Sequence, residues 1–460
     1  MRKVQFDDNS EPTFDIATKF LSGKFETLQS DSFLPWANFA EWWAAIGKLY
    51  ELGDAVLQDA EVTAPEPAGN GTTGKDLTAE PRVSAPESAG GAERATAPGG
   101  EAGDIAYTMS SGFIRRLAQF DISIAFSSYQ SGLFYLLGRN PKGGAHLHQS
   151  ALRKPMGICV GGDGSLTVAA GFQIIRFGNA LEADQRINHT FDACYMPRAI
   201  HMTGELDAHD VALDGEGRLV FVNTRFNCLA TVSPRHSFEM LWKPTFISAL
   251  VDEDRCHLNG LALRDGRPAY VTAVSRSDTV DGWRDRRADG GVVIDVETNE
   301  IICSGLSMPH SPRFHGGRLW VLNSGTGELG VVAQLEGGKG VFEPKAFCPG
   351  FLRGLAFHGN YAFVGLSKPR YKRFEGLALD RRLDAADSEP WCGIQVIDLS
   401  NGACVDWFRI DGAVAELYDI GVIPGFACPM AVSPGAPDVA ALITFAAEKA
   451  DVAQARSIDQ

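Results

Sequence analysis

The sequence predicts an all-β fold, a six-bladed β-propeller. Three observations lead there. Short β-rich runs alternate with Gly-containing turns from about residue 105 to 445, and helical periodicity is nearly absent in that stretch. One hairpin pattern recurs along it at intervals of roughly 45–65 residues, close to the length of a four-stranded blade. The last copy lacks a complete hairpin, while strand-like residues 121–138 belong to no copy.

The chain reads as four segments. Residues 1–57 are partly helical: Trp36, Phe39, Trp43, Ile46 and Tyr50 recur at three- and four-residue steps and share one helix face. That face either docks on the main domain or recruits a protein partner. Residues 58–104 are rich in Ala, Pro, Glu, Gly and Thr and nearly free of large apolar side chains. Such a stretch cannot offset its ordering entropy, which predicts a disordered linker. Residues 105–447 form the propeller and 448–460 a C-terminal tail.

In each copy an apolar strand meets a tight turn and a second apolar strand follows. The turns are GGDG at 161–164, DGEG at 214–217, RDG at 264–266, HGG at 315–317 and HGN at 358–360. The first strands begin at Met156, His209, Asn259, His310, Arg353 and Tyr418. N-terminal strands completing the sixth copy would close the ring and remove its sheet edges.

In a propeller the first strand of each blade lines the channel, so its starting residue sits at one mouth. The loop after the second strand returns to that face. These loops are polar, and two are long: 223–227, 275–287, 323–327 and 367–391. Long polar loops on a rigid scaffold are where function concentrates.

The ring of starting residues supplies the chemistry. His257 lies two residues before Asn259 and Glu416 two before Tyr418, so the strand period of two keeps each on its partner's side. Neutral imidazoles of His209, His257 and His310 could hold one transition metal (Zn, Fe or Cu) with an open position. Arg353 suits an anion, and Tyr418 or Glu416 a proton transfer. A metal-free ligand site and plain polar packing of strand ends are the alternatives. Further ligand-binding candidates are Asn223, Arg225, Asn323, Ser324, Arg284, Lys368 and Arg370, with Asn259 itself. Asn223 and Asn323 occupy matching positions and either orient a ligand or close turns. The loop cations stand out in a chain of net charge −15.

That charge argues against nucleic acid and against an anionic membrane surface. No apolar run approaches the ~18 residues that span a bilayer, and residues 1–8 hold no leader-like apolar core. The nine cysteines include no CxxC pair, which with that N-terminus predicts reduced thiols and a cytoplasmic location. No P-loop, dinucleotide fingerprint or nucleophile elbow occurs. The functional expectation is an enzyme acting on a small anionic molecule, of metal-assisted lyase, hydrolase or oxygenase type. The alternative is a non-catalytic propeller that binds a ligand or a protein.

The segments EDRCHLNG (253–260), LSMPHSP (306–312) and LNSGTGE (322–328) resemble a bacterial family of uncharacterised conserved proteins. The resemblance spans about 110–447 and implies a propeller, in some members attached to tetratricopeptide repeats. A looser resemblance, through Asn259-Gly260-Leu261-Ala262, is to gluconolactonase- and strictosidine-synthase-like six-bladed propellers. In the metal-binding lactonases among them the matching Asn is a calcium ligand. Here only Asn259 matches, and neighbouring blades present His209, His310 and Arg353 instead.

Overall fold

The computed structural model describes residues 106–334, 339–369 and 374–445, with the backbone of Ala95–Thr96. The N-terminal helical segment, nearly all of the linker, the tail from residue 446 and Arg370 lie outside the described residues. Within the stretch read as linker, β1 (Ala95–Thr96) pairs with β2 (Ala106–Met109).

Six antiparallel sheets follow one another along the chain. The first holds β3 (Ile122–Ser128), β4 (Leu133–Arg139) and β5 (Ala145–Ala151). The second holds β6 (Pro155–Val160), β7 (Leu166–Ala170), β8 (Gln173–Asn179) and β9 (Ala193–Met202). The third holds β10 (Ala208–Leu213), β11 (Leu219–Asn223), β12 (Cys228–Thr231) and β13 (Glu239–Trp242). The fourth holds β14 (Leu258–Arg264), β15 (Arg267–Ala273), β16 (Gly291–Asp295) and β17 (Ile301–Leu306). The fifth holds β18 (Pro309–His315), β19 (Arg318–Asn323), β20 (Glu328–Ala333) and β21 (Val341–Phe347). The sixth holds β22 (Phe351–His358), β23 (Tyr361–Ser367), β24 (Cys392–Asp398) and β25 (Cys404–Asp411).

Ring closure takes the expected form. β26 (Ile420–Pro424) is the inner strand of the first sheet and pairs with β3, Ile420 facing Phe126 and Pro424 facing Ile122. Two outer strands reinforce it. β2 adds to β25, and β27 (Pro429–Ala431) runs parallel to β9. Helical structure is scarce but present. The sequence reading missed α1 (Phe113–Phe120), which buries Phe113 and Leu117, one turn apart, against β25 and the closing sheet. It also missed the short α2 (Leu379–Ala385) and α3 (Asp438–Ala441).

The core lies between blade faces rather than in one centre. Phe126 and Tyr135 of the closing blade meet Phe363, Ile394 and Phe408 of the sixth. Phe134 on the opposite face meets Ile158, Val168 and Phe177 of the second. Each such fully buried side chain contributes about 1.5–3 kcal/mol. Tight first turns hold the inner hairpins: Asp214 Oδ1 accepts the amides of Glu216 and Arg218 at 3.0 and 2.9 Å.

The inner strands carry an alternation. The residue after each starting position is Gly157, Asp210, Gly260, Ser311, Gly354 and Asp419 in turn. Each polar member bonds the amide of a blade that carries Gly. Asp210 accepts Leu261 N–H at 2.9 Å, Ser311 Oγ accepts Gly354 N–H at 3.1 Å, and Asp419 accepts Ile158 N–H at 2.8 Å. The glycines permit this approach. A Cβ on Gly260 would lie 2.2 Å from Pro312, and one on Gly354 (φ +79°) 2.7 Å from the Ile420 nitrogen. The ring therefore has a pseudo-threefold stitching written in six residues.

Candidate functional site

Five of the six inner strands are bulged at the mouth, with register shifts between Pro155 and Ile158, Ala208 and Val211, Leu258 and Gly260, His310 and Arg313, and Leu352 and Leu355. A bulge re-aims side chains, here at the channel entrance. Just before four of these strands the chain enters the left-handed region, at Lys154, Asp207, His257 and Met308 (φ 46–53°). Each costs strain of about 1 kcal/mol or more for a non-glycine residue. All four line one cavity.

That cavity measures about 980 Å³ and occupies the mouth on the long-loop side. Met156, His209, Arg353 and Tyr418 of the starting ring line it, with His257 and Glu416 from two residues earlier. Trp283, Arg284 and Arg287 enter from the β15–β16 loop, and Lys368, Phe374, Glu375 and Leu377 from the β23–β24 loop.

Two histidines are held alike. His209 donates from Nδ1 to the Asp207 carbonyl at 2.7 Å, and His310 to that of Met308 at 2.8 Å. Each Nδ1 also meets a hydroxyl, Thr224 at 2.8 Å or Ser324 at 3.1 Å. Those hydroxyls donate onward to the next blade, Thr224 to Leu258 O at 2.6 Å and Ser324 to Leu352 O at 2.7 Å. Nε2 is thereby left as the acceptor on both rings. Burial first, then neighbouring His257, drives the His209 pKa well down. Burial and then Arg353 do the same to His310. Both imidazoles are neutral at pH 7. His310 Nε2 is buried and meets no partner among the described residues; this ring lies behind the cavity wall, edge-on to Phe351 at 5.6 Å.

His257 is held differently. Asp254 accepts its amide at 2.9 Å and its Nδ1–H at 2.6 Å, so one carboxylate fixes both backbone and ring. The ring stacks on Trp283 at 4.2 Å and stands edge-on to His209 at 4.8 Å. A carboxylate behind Nδ1 fixes the tautomer and the orientation of the ring, leaving Nε2 as its acceptor.

Arg353 lies between the rings of Tyr418 and Phe351, at 4.8 and 5.5 Å. Among the described residues it forms no ion pair, and its buried Nε meets no acceptor. Tyr418 Oη and Trp283 Nε1 are likewise buried without partners there. Burial pushes the Tyr418 phenol well above its usual range, against the pull of Arg353. It is a neutral donor at pH 7. Its ring meets His209 at 5.5 Å and Tyr129 at 5.4 Å.

Directly beneath lies a buried ion network absent from the sequence reading. Arg313 donates to Asp210 at 2.7 and 3.2 Å and lies 3.6 Å from Asp419. Burial opposes the Arg313 charge, but the two carboxylates outweigh it and raise its pKa. Burial raises Asp419 to about 7, against Arg313 and with the help of Asp210. The network underpins His209 and Tyr418, which directly precede its carboxylates.

Several candidates stand elsewhere. Arg225 is spent in a two-pronged pair with Asp252, both contacts 2.6 Å. Asn223 closes its turn by accepting Phe226 N–H at 3.2 Å, and Asn323 accepts Ser307 N–H at 2.7 Å. Ser324 is the blade stitch already described. Asn259 accepts the Thr272 hydroxyl at 2.7 Å and is not on the cavity wall, so the lone match to a calcium ligand is engaged in packing. Of the expected metal set, His209 and His257 face the cavity and His310 does not; among the described residues no three or more His, Cys, Asp or Glu are grouped to hold a metal ion.

A family model described as a domain of unknown function (DUF4915) matches residues 111–432. The chain belongs to the DUF4915 family. This agrees with the resemblance carried by residues 253–260, 306–312 and 322–328. No curated protein matches the sequence. Solved structures similar to this DUF4915 chain include a gluconolactonase from Xanthomonas campestris, at 13% identity and TM-score 0.37, covering 62% of this chain and 84% of that one. A catalytically inactive variant of virginiamycin B lyase from Staphylococcus aureus, with quinupristin, is similar at 14% identity and TM-score 0.32, covering 53% and 73%. A chain of the Nidogen/Laminin complex is similar at 11% identity and TM-score 0.41, covering 66% and 99%. At such identities none of them assigns a role to a residue of this chain. Among the described residues no helix is long and apolar enough to cross a membrane.

Proposed function

We propose that the mouth cavity binds a small organic anion and that the protein is an enzyme of the lyase type, working by general acid–base chemistry without a metal. The observation that carries this reading is Arg353. A half-buried guanidinium with no ion pair among the described residues, set against the ring of Tyr418, whose hydroxyl is unpartnered there, in a cavity that Trp283 also lines, is built to receive a carboxylate-like group. In this reading Arg353 clamps the anion. His257, oriented by Asp254, takes a proton from the substrate at Nε2. Tyr418, across His209 from His257, donates to the departing group. His209, held neutral, accepts a hydrogen bond and fixes the substrate's orientation, with His310 packed behind the wall.

The test is a panel of 2- and 3-hydroxy and amino carboxylates incubated with the full chain in D₂O and followed by NMR. Deuterium wash-in or loss of the leaving group from one of them, abolished in His257→Gln while Arg353-dependent binding persists, is the expected result. Arg353-dependent binding with no exchange or turnover anywhere in the panel would leave the non-catalytic binding propeller in its place.

A further inference from the structure

The cavity has two unlike sides, and the difference narrows the ligand. One side is polar: Lys154, Asp207, Lys368 and Glu416. The other is apolar. Trp283, Met308, Phe351 and Leu377 pack as one cluster, and Phe374 joins it through Phe351 and Leu377. Phe374 and Phe351 stack at 6.2 Å. All five residues also line the cavity, so this wall is core packing on one side and open to a ligand on the other. Arg353 sits at its foot, over the Phe351 ring.

Most of the lining cations are already engaged. Lys154 pairs with Asp207, Arg284 with Asp281 at 3.0 Å, and Lys368 lies 3.7 Å from Asp411. Arg287 spends donors on the carbonyls of Arg284 and Glu375, at 3.0 and 3.5 Å. Among the described residues Arg353 and Arg287 are then the lining cations without an ion pair, and Arg353 is the one at the foot of the apolar wall.

We infer that the ligand is a carboxylate carrying an aromatic or branched apolar body, its head on Arg353 and its body on the Trp283–Met308–Phe351–Phe374–Leu377 wall. This rests on the anion-binding reading above and adds the second half of the ligand. Trp283 Nε1, buried in that wall and unpartnered among the described residues, is a donor for one polar substituent on the body.

The experiment is calorimetric titration of the full chain with acetate, succinate, inorganic phosphate and 3-phenylpropionate. Burying a phenyl ring on the wall should make 3-phenylpropionate bind about ten- to a hundredfold tighter than acetate. Succinate and phosphate, which lack an apolar body, should bind more weakly than 3-phenylpropionate. Leu377→Asn, in the loop, should bring the two affinities together and remove most of the phenyl preference. Phe351→Leu, which keeps an apolar volume, should reduce the preference by a smaller factor. Equal affinity for acetate and 3-phenylpropionate, both lost in Arg353→Gln, would overturn the apolar inference and spare the anion site. Succinate or phosphate binding tighter than 3-phenylpropionate would overturn it as well. Binding unaffected by Arg353→Gln, or no binding by any probe, would overturn both.

Discussion

Replacing Arg353 by Met should separate function from stability in one variant. The substitution keeps a long apolar stem between Phe351 and Tyr418 and removes the charge. For an anion, the loss is a charge-assisted, two-pronged contact in a partly desolvated site, about 3 kcal/mol, or roughly 150-fold in affinity. For folding, two terms oppose each other. The cation–π contacts at 4.8 and 5.5 Å contribute about 0.5–1 kcal/mol each. Against them stands the cost of keeping a half-buried guanidinium unpaired, of order 1–3 kcal/mol, which the substitution relieves. The expected outcome is a stability equal to the parent's or up to about 1 kcal/mol higher. Urea unfolding gives the stability and titration with 3-phenylpropionate the affinity. A variant that loses more than about 2 kcal/mol of stability while binding the anion as before would refute the reasoning and make Arg353 a structural residue.

Other outcomes follow from the same geometry. His209 and His310 refuse protons that unfolded histidines accept, so their contribution to stability is present above about pH 6.5 and lost as pH falls toward their depressed values. Each adds at most about 1.4 kcal/mol per pH unit, and His310→Gln should flatten the decline measured between pH 6.5 and 5. Asp419, raised to about 7, has the opposite sign: its contribution fades as pH rises from about 4 to 7, and comparison with the variant cancels it. Gly354→Ala should cost about 3 kcal/mol by urea unfolding, from its φ of +79° and its contact with the Asp419–Ile420 backbone. Gly162→Ala, which meets nothing within 4 Å, is the control. Purified protein should carry no stoichiometric Zn, Fe or Cu by elemental analysis, and chelation should leave its unfolding temperature unchanged. A stoichiometric metal lost in the His209→Ala/His310→Ala variant would restore the metal reading.

The blades were legible because each inner hairpin is marked by a Gly/Asp turn, a signal local in sequence. The starting ring was legible for the same reason, but His257 and Glu416 reach the mouth from backbone that precedes β14 and β26, not through the strand period of two. What lies between blades was not. The Gly–Asp–Gly–Ser–Gly–Asp alternation stood in plain view, yet its meaning depends on amides 43 to 261 residues away, as with Ser311 and Gly354 or Asp419 and Ile158. Arg313 gave no sign of joining Asp210 and Asp419, since nothing in the hairpin pattern marks it. Arg225 looked like a loop cation because Asp252, 27 residues on, is its partner only in space. The left-handed turns at Lys154, His257 and Met308 carry no glycine signal, so the side chains they aim into the mouth were found through register or not at all. The apolar wall escaped notice because Phe374 and Leu377 sit in a loop whose polarity drew attention first.

The most direct measurement of the central claim is a crystal structure of the protein soaked with 3-(4-iodophenyl)propionate, with iodine located by anomalous scattering. The iodine should lie against Phe351 and Phe374, with the carboxylate in hydrogen-bonding reach of Arg353 and Tyr418. A carboxylate placed away from Arg353, or iodine sites confined to the outer faces of the blades, would contradict it.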